Sequence, residues 1–329
     1  MRLLFGKSST FRVLLLLACG FGIVVFQSSG RGRQPQNRSE RTSPNQRAQA
    51  GTTGDVVRLS APAKPASGAS PGVGAMAAYD AASIANIQLQ TALEWTIGGK
   101  QQRGWVLYTP LIGHLIGVGA NPTTTEFAMR LSLWQKENNL EPTGMLDSDT
   151  WSLMVSRFQS RRTAVRANTD ASQLVTIPIS DCYDVTRAEE LRNVERDTFA
   201  AYKRMVRAAA ADSSLGLQLD ATGQLASDEK LMKIVSAYRS REYQERLRQQ
   251  SPNSGRAGLA LNSPHFTGRA LDLYVGGEPV NTKDANRALQ TQGAVYRWLV
   301  KNAARFGFQP YFYEPWHWEY VGVRTPSAK

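Results

Sequence analysis

Two short segments near the C-terminus hold the residue types that could do chemistry. They are Ser263-Pro264-His265-Phe266-Thr267-Gly268-Arg269-Ala270-Leu271-Asp272 and Glu314-Pro315-Trp316-His317. The chain has 3 histidines in 329 residues, and two of them lie here, each with a carboxylate a few residues away. Two neutral imidazoles and one carboxylate form a three-ligand zinc set that leaves the fourth position open to water, as catalytic zinc requires. The spare carboxylate, Glu314, is then free to act as a general base. Neutral imidazole with carboxylate suits zinc among the divalent ions. The remaining histidine, His114, lies in Leu111-Ile112-Gly113-His114-Leu115-Ile116 with no nearby Cys or carboxylate and reads as structural. The residues point to a zinc hydrolase.

Local elements must bring these side chains together. Leu271-Asp272-Leu273-Tyr274-Val275, ended by Gly276-Gly277, predicts a strand. Alternation then puts Ala270, Asp272 and Tyr274 on one face and Leu271 and Leu273 on the other. Gly268 lets the backbone bend so that His265 and Asp272 can reach one ion. Glu314 and His317 are three apart, which on a regular strand means opposite faces. Pro315 cannot continue a ladder, so a kink there is expected to turn both inward. Arg239 sits between an apolar strand, 231–237, and a helical stretch, 241–250, a junction that holds a side chain on rigid elements. A long helix over 187–211 is expected to cover one face of the sheet with Leu191, Val194, Thr198, Tyr202, Met205 and Ala209. A second helix is expected over 292–306, stopped by Gly307.

Three blocks, in order, resemble the VanY-like D-alanyl-D-alanine carboxypeptidases, zinc peptidases that trim bacterial cell-wall peptides. They are Ser236-Ala237-Tyr238-Arg239-Ser240 with Gln244, then Ser263-x-His265-x-x-Gly268-x-Ala270-x-Asp272, then Glu314-x-Trp316-His317-x-x-Tyr320. The resemblance spans roughly residues 175 to 322. It implies that His265, Asp272 and His317 bind one zinc ion and that Glu314 is the catalytic base. It further implies that Arg239 stabilises developing negative charge, and that Tyr238, Gln244, Ser263 and Trp316 contact substrate.

The rest of the chain predicts where such a site would work. Arg2, Lys7 and Arg12 precede an apolar run from Val13 to Phe26, the pattern of a signal peptide or membrane anchor over 1–27. Residues 28–86 are rich in Ser, Pro, Gly, Ala, Gln and Arg without an apolar period, and read as a disordered tether. Residues 1–58 hold nine Lys and Arg against Glu40 and Asp55, a net of +7 within the chain's +12. The basicity therefore belongs mainly to the anchor and tether and suits anionic lipid or wall polymer. Nucleic-acid binding is not expected, because the basic residues are not interleaved with aromatics on a folded face.

Within 87–160, Phe127, Leu131 and Trp134 recur at helical spacing, Pro142-Thr143-Gly144 makes a turn, and 147–154 predicts another short helix. The order Phe127, Leu131, Trp134-Gln135, Leu140, Gly144, Leu146, Thr150, Leu153 resembles the peptidoglycan-binding repeat found beside many wall hydrolases. Cys19 and Cys182 offer no internal disulfide once a signal is removed.

The expected fold is α+β: an antiparallel sheet flanked by helices and carrying a zinc site over 172–324, preceded by a small helical domain and the tether. The expected protein is an extracytoplasmic, exported zinc D,D-carboxypeptidase acting on peptidoglycan stem peptides. An L,D-carboxypeptidase or an endopeptidase would use the same residues on another bond. A non-catalytic, zinc-stabilised wall-binding protein would keep the ligands without turnover. A purely structural wall tether would leave both histidine segments unexplained.

Overall fold

The structure is a computed structural model that describes residues 73–160, 170–250 and 263–322. The expected signal or anchor, and the tether as far as residue 72, lie outside the described residues. Among the described residues no helix is long and apolar enough to cross a membrane.

The described chain begins with helix α1 (Val73–Ala92), so residues 73–86, read from composition as tether, are helical. Its alanines favour a helix, and tertiary contact supplies the rest. Ala82 and Asn86 are buried. Asn86 Nδ2 donates to the Gly144 carbonyl (2.9 Å) and its Oδ1 accepts from Leu146 N–H (2.8 Å). A hairpin follows, β1 (Glu94–Ile97) with β2 (Lys100–Arg103). Then come α2 (Thr109–Ile116), α3 (Thr125–Glu137) and α4 (Ser148–Ser160). Helix α3 starts where Thr124 accepts from Phe127 N–H and buries Phe127, Leu131 and Trp134, as their spacing predicts. Gln135 holds the following turn: its amide donates to Met145 O and Thr150 Oγ1 (both 2.9 Å) and accepts from Gly144 N–H (2.8 Å). Gly144 has φ +71°, and a Cβ there would lie 2.7 Å from Ala128 O. Only glycine fits that approach.

The second half is a mixed α/β arrangement of small antiparallel sheets and helices. Strands β3 (Leu174–Thr176) and β4 (Asn193–Glu195) form one antiparallel pair. The four-stranded sheet runs β5 (Ile234–Ser236), β6 (Ala270–Leu273), β8 (His317–Tyr320), β7 (Phe308–Pro310), antiparallel throughout. Helices α5 (Arg196–Ala210), α6 (Arg241–Gln250), α7 (Asp284–Gln292) and α8 (Ala294–Asn302) complete it.

Several element boundaries differ from expectation: the strand expected over 271–275 is Ala270–Leu273, and the short helix expected over 147–154 runs Ser148–Ser160. The helix expected over 187–211 starts at Arg196, because Val194 pairs with Val175 in β4 and Leu191 lies in a 3₁₀ turn. Glu195 caps it, accepting from Thr198 N–H (2.8 Å). Thr198, Tyr202, Met205 and Ala209 still form the buried stripe. The helix expected over 292–306 is instead two helices and a 3₁₀ turn, broken at Gly293, whose backbone is extended (φ −63°, ψ 144°). Gly307 does end the last turn, in the left-handed region. The strand expected over 231–237 shrinks to β5: Met232 takes a positive φ of 69°, and within β5 the ladder to β6 shifts register between Ile234 and Ser236.

One contiguous apolar core joins the two halves, from Trp105, Phe127 and Trp151 to Tyr202, Leu271 and Trp318. At the junction Phe312 is packed by Tyr108, Trp151 and Phe158, with ring centroids 5.5, 6.4 and 5.9 Å away. The buried Arg287 donates to Tyr108 Oη (2.9 Å) and to the Tyr313 carbonyl (3.2 Å).

Candidate metal centre and active site

The site is built on the middle of the four-stranded sheet. Strands β6 and β8 are flanked on both sides, and every residue in them is buried. Their register sets Asp272 opposite His317 and Ala270 opposite Glu319. Asp272, His317 and Glu319 therefore share one face, while Leu271 and Trp318 pack on the other.

His265 arrives from outside the sheet, on a 3₁₀ turn (Pro264–Thr267) capped at its start by Ser263, which accepts from His265 N–H. Gly268 ends that turn at φ +64°, and a Cβ there would come 2.8 Å from Glu195 N. The bend expected at Gly268 thus has two causes, the left-handed backbone and the closeness of β4. Pro315 and Trp316 form the turn that leads into β8, closed by His317 N–H donating to Glu314 O (2.9 Å). The expected kink at Pro315 is present, and both Glu314 and His317 are buried.

Asp272 is the hub. Its Oδ1 lies 3.3 Å from His265 Nε2 and 3.0 Å from His317 Nδ1, and its Oδ2 accepts from Arg239 Nη2 at 2.7 Å. The two imidazoles meet edge to face, centroids 5.0 Å apart. The far nitrogen of each ring is also engaged: His265 Nδ1 lies 2.5 Å from Ala237 O, and His317 Nε2 lies 3.3 Å from Glu319 Oε1. One ligand atom from each of His265, Asp272 and His317 falls within 4.8 Å of the others. The donors fit zinc: two imidazoles and a carboxylate converge, and both rings have partners that orient their inner nitrogens.

Electrostatics sharpen this picture. Burial raises the pKa of Asp272, but His265, His317 and Arg239 more than reverse it, holding the carboxyl well below the usual range. Burial and then the charge of Arg239 push His265 down to about 4. Burial also disfavours charge on His317, yet the hydrogen bonds to Asp272 and Glu319 prevail and raise it to about 9. Burial thus opposes charge on His265, whereas the two carboxylates beside His317 favour charge there.

Arg239 is placed at the strand-to-helix junction, but its guanidinium turns to the Asp272 carboxylate. Besides Asp272 it donates from Nε to Ser236 Oγ (2.9 Å) and from Nη1 to Gln244 Oε1 (3.5 Å). Among the four residues expected to contact substrate, Ser263 thus supports His265 and Gln244 supports Arg239. Trp316 is buried, and its indole N–H has no acceptor among the described residues. Tyr238 is half-buried, its backbone N–H donating to Asn193 O. His114 lies exposed on α2, away from any metal-ligand cluster among the described residues.

Sequence reading missed Glu319. It carried a usable signal, since residues i and i+2 of a strand share a face and His317 leads β8. Arg287 and Phe312, which brace the Tyr311–Glu314 turn, carried none, because their partners lie far away in sequence.

No curated protein matches the chain at a significant level. Residues 192–323, which contain Arg239, His265, Asp272, Glu314 and His317, match the family model described as VanY, D-alanyl-D-alanine carboxypeptidase, and that match supports peptidase activity on a peptidoglycan-related substrate.

Proposed function

We propose that the chain is a zinc-dependent D,D-carboxypeptidase that removes the terminal D-alanine from peptidoglycan stem peptides. The convergence of His265, Asp272 and His317 on one point, inside the segment that matches the family, carries this reading. A zinc ion held by these three would supply an acidified water and polarise the scissile carbonyl.

The chain's own groups do the rest. Glu314 accepts a proton from the attacking water and returns it to the leaving amine as the C–N bond breaks, a contribution of about 10²–10⁴ in rate. Arg239 keeps Asp272 oriented through Oδ2, and each of its Nη atoms bears a further N–H to offer the developing oxyanion. Such a donor is worth about 3–4 kcal/mol. Export puts the site beside its substrate. The resemblance of 127–153 to peptidoglycan-binding repeats supports a second contact with the wall, and the basic tether supports one with anionic lipid or wall polymer.

The test is mass analysis of muropeptides ending in D-Ala-D-Ala after incubation with the protein, with and without a chelator. Loss of a single alanine from pentapeptides, abolished by chelator and restored by zinc, is expected. Shortening of tetrapeptides instead would reassign the bond as L,D, and cleavage between stems would make the protein an endopeptidase. Zinc binding without any cleavage would leave a wall-binding protein.

A further inference from the structure

We propose that Glu319 is a positioning residue for the metal centre. It accepts the Nε2–H of His317 and thereby fixes the tautomer whose Nδ1 lone pair faces the ligand cluster. The proposal rests on the zinc reading above.

Three observations carry it. Glu319 Oε1 lies 3.3 Å from His317 Nε2, on the ring edge opposite the one that faces Asp272. Both side chains are almost wholly buried, Glu319 at 1% and His317 at 3% exposure. A carboxylate in the middle of a sheet costs several kcal/mol in desolvation, which a hydrogen bond from an imidazole N–H helps to offset. Finally, β8 is pinned on both sides. Ala270 stands opposite Glu319 on β6 and Gln309 on β7, so the spacing of Glu319 and His317 is set by two ladders. The residue across from Glu319 on β6 is Ala270, whose side chain is only a methyl group.

The two histidines then solve one problem in two ways. A ligating imidazole must hold its proton on the nitrogen away from the metal, and a fixed acceptor there enforces this. For His265 the acceptor is the Ala237 carbonyl, which no substitution removes. For His317 it is a side chain, so the device can be tested.

Zinc affinity, measured by competition with a chromophoric chelator, needs no turnover. Glu319→Leu removes the acceptor, and zinc should bind about ten- to a hundredfold more weakly. Glu319→Gln keeps a carbonyl acceptor, so its loss should be clearly smaller. Nitrogen-detected NMR of the imidazoles in the zinc-loaded wild-type chain should find the His317 proton on Nε2, a measurement that does not depend on any variant folding. A proton on Nδ1, or Leu and Gln variants that both bind zinc as the wild type does, would overturn the role of Glu319 and leave the zinc reading standing. A wild-type chain that binds no zinc would defeat both.

Discussion

One apolar core runs through both the sheet that carries His265, Asp272 and His317 and the helical region before residue 160, but the side chains gathered at their centres differ. The first is a buried polar cluster in which five charged or titratable side chains, Arg239, His265, Asp272, His317 and Glu319, satisfy one another within about one side-chain length. The second is centred on a cluster of aromatic rings, Trp95, Tyr108, Trp151, Phe158 and Phe312. A polar cluster is intolerant because a missing partner leaves a buried charge. An aromatic cluster loses packing in proportion to what is removed. The contrast separates chemistry from scaffold, but the boundary is porous. Phe312 belongs to the aromatic cluster and lies two residues before Glu314, and Arg287 ties Tyr108 to the carbonyl of Tyr313.

The largest effect should come from the chemical side. Glu314→Gln is expected to lower turnover about 10²–10⁴-fold, with zinc content and melting temperature unchanged. Full activity in that variant would remove Glu314 from the mechanism. On the scaffold side, Trp151→Ala should cost about 3–5 kcal/mol of stability, read by denaturant unfolding. If the regions cooperate through Phe312, the same variant should also lose turnover well below its melting temperature. An unchanged kcat there would mean that the aromatic cluster stabilises without positioning.

pH probes the polar cluster through its two histidines. His317 is raised from 6.5 to about 9 in the fold, so its contribution is full below pH 6.5 and disappears as pH climbs to 9. His265 is depressed from 6.5 to about 4, so its contribution is full above pH 6.5 and is lost as pH falls towards 4. Each is on the order of 3 kcal/mol. Thermal melts in chelator should therefore peak near pH 6.5 and decline on both sides, and a flat profile would contradict the ionisation pattern. The smallest expected effect is at the seam: Arg287→Met leaves Tyr108 Oη and Tyr313 O without their donor, costing about 1–3 kcal/mol. A drop in kcat larger than this stability loss explains would show that the seam positions the Glu314 turn.

Much of the site was legible because its chemistry needs particular residue types at short spacing. His265, Gly268 and Asp272 fall within eight residues, and Glu314 and His317 within four, so local backbone rules predict the bend at Gly268 and the kink at Pro315. Helix α6 was legible from its flanking strand, and α3 from Phe127, Leu131 and Trp134. Three of the misread boundaries share a physical cause. Val194 leaves the helical pattern to pair with Val175, Met232 adopts a positive φ with its N–H donating to Tyr274 O, and residues 73–86 become helical where Asn86 can hold Gly144 and Leu146. Each is decided by a neighbour distant in sequence, which periodicity does not contain.

The sequence by itself determined which groups could bind a metal, which carboxylate could serve as a base, and that Arg239 would stand at a strand-to-helix junction, because these follow from residue chemistry and local backbone geometry. Only the tertiary structure decided that Arg239 grips Asp272, that Glu319 meets His317, and that the aromatic core of the first half reaches the turn carrying Glu314. Those contacts depend on the register of β6 against β8 and on the packing of Phe312, which join segments that the chain itself keeps far apart.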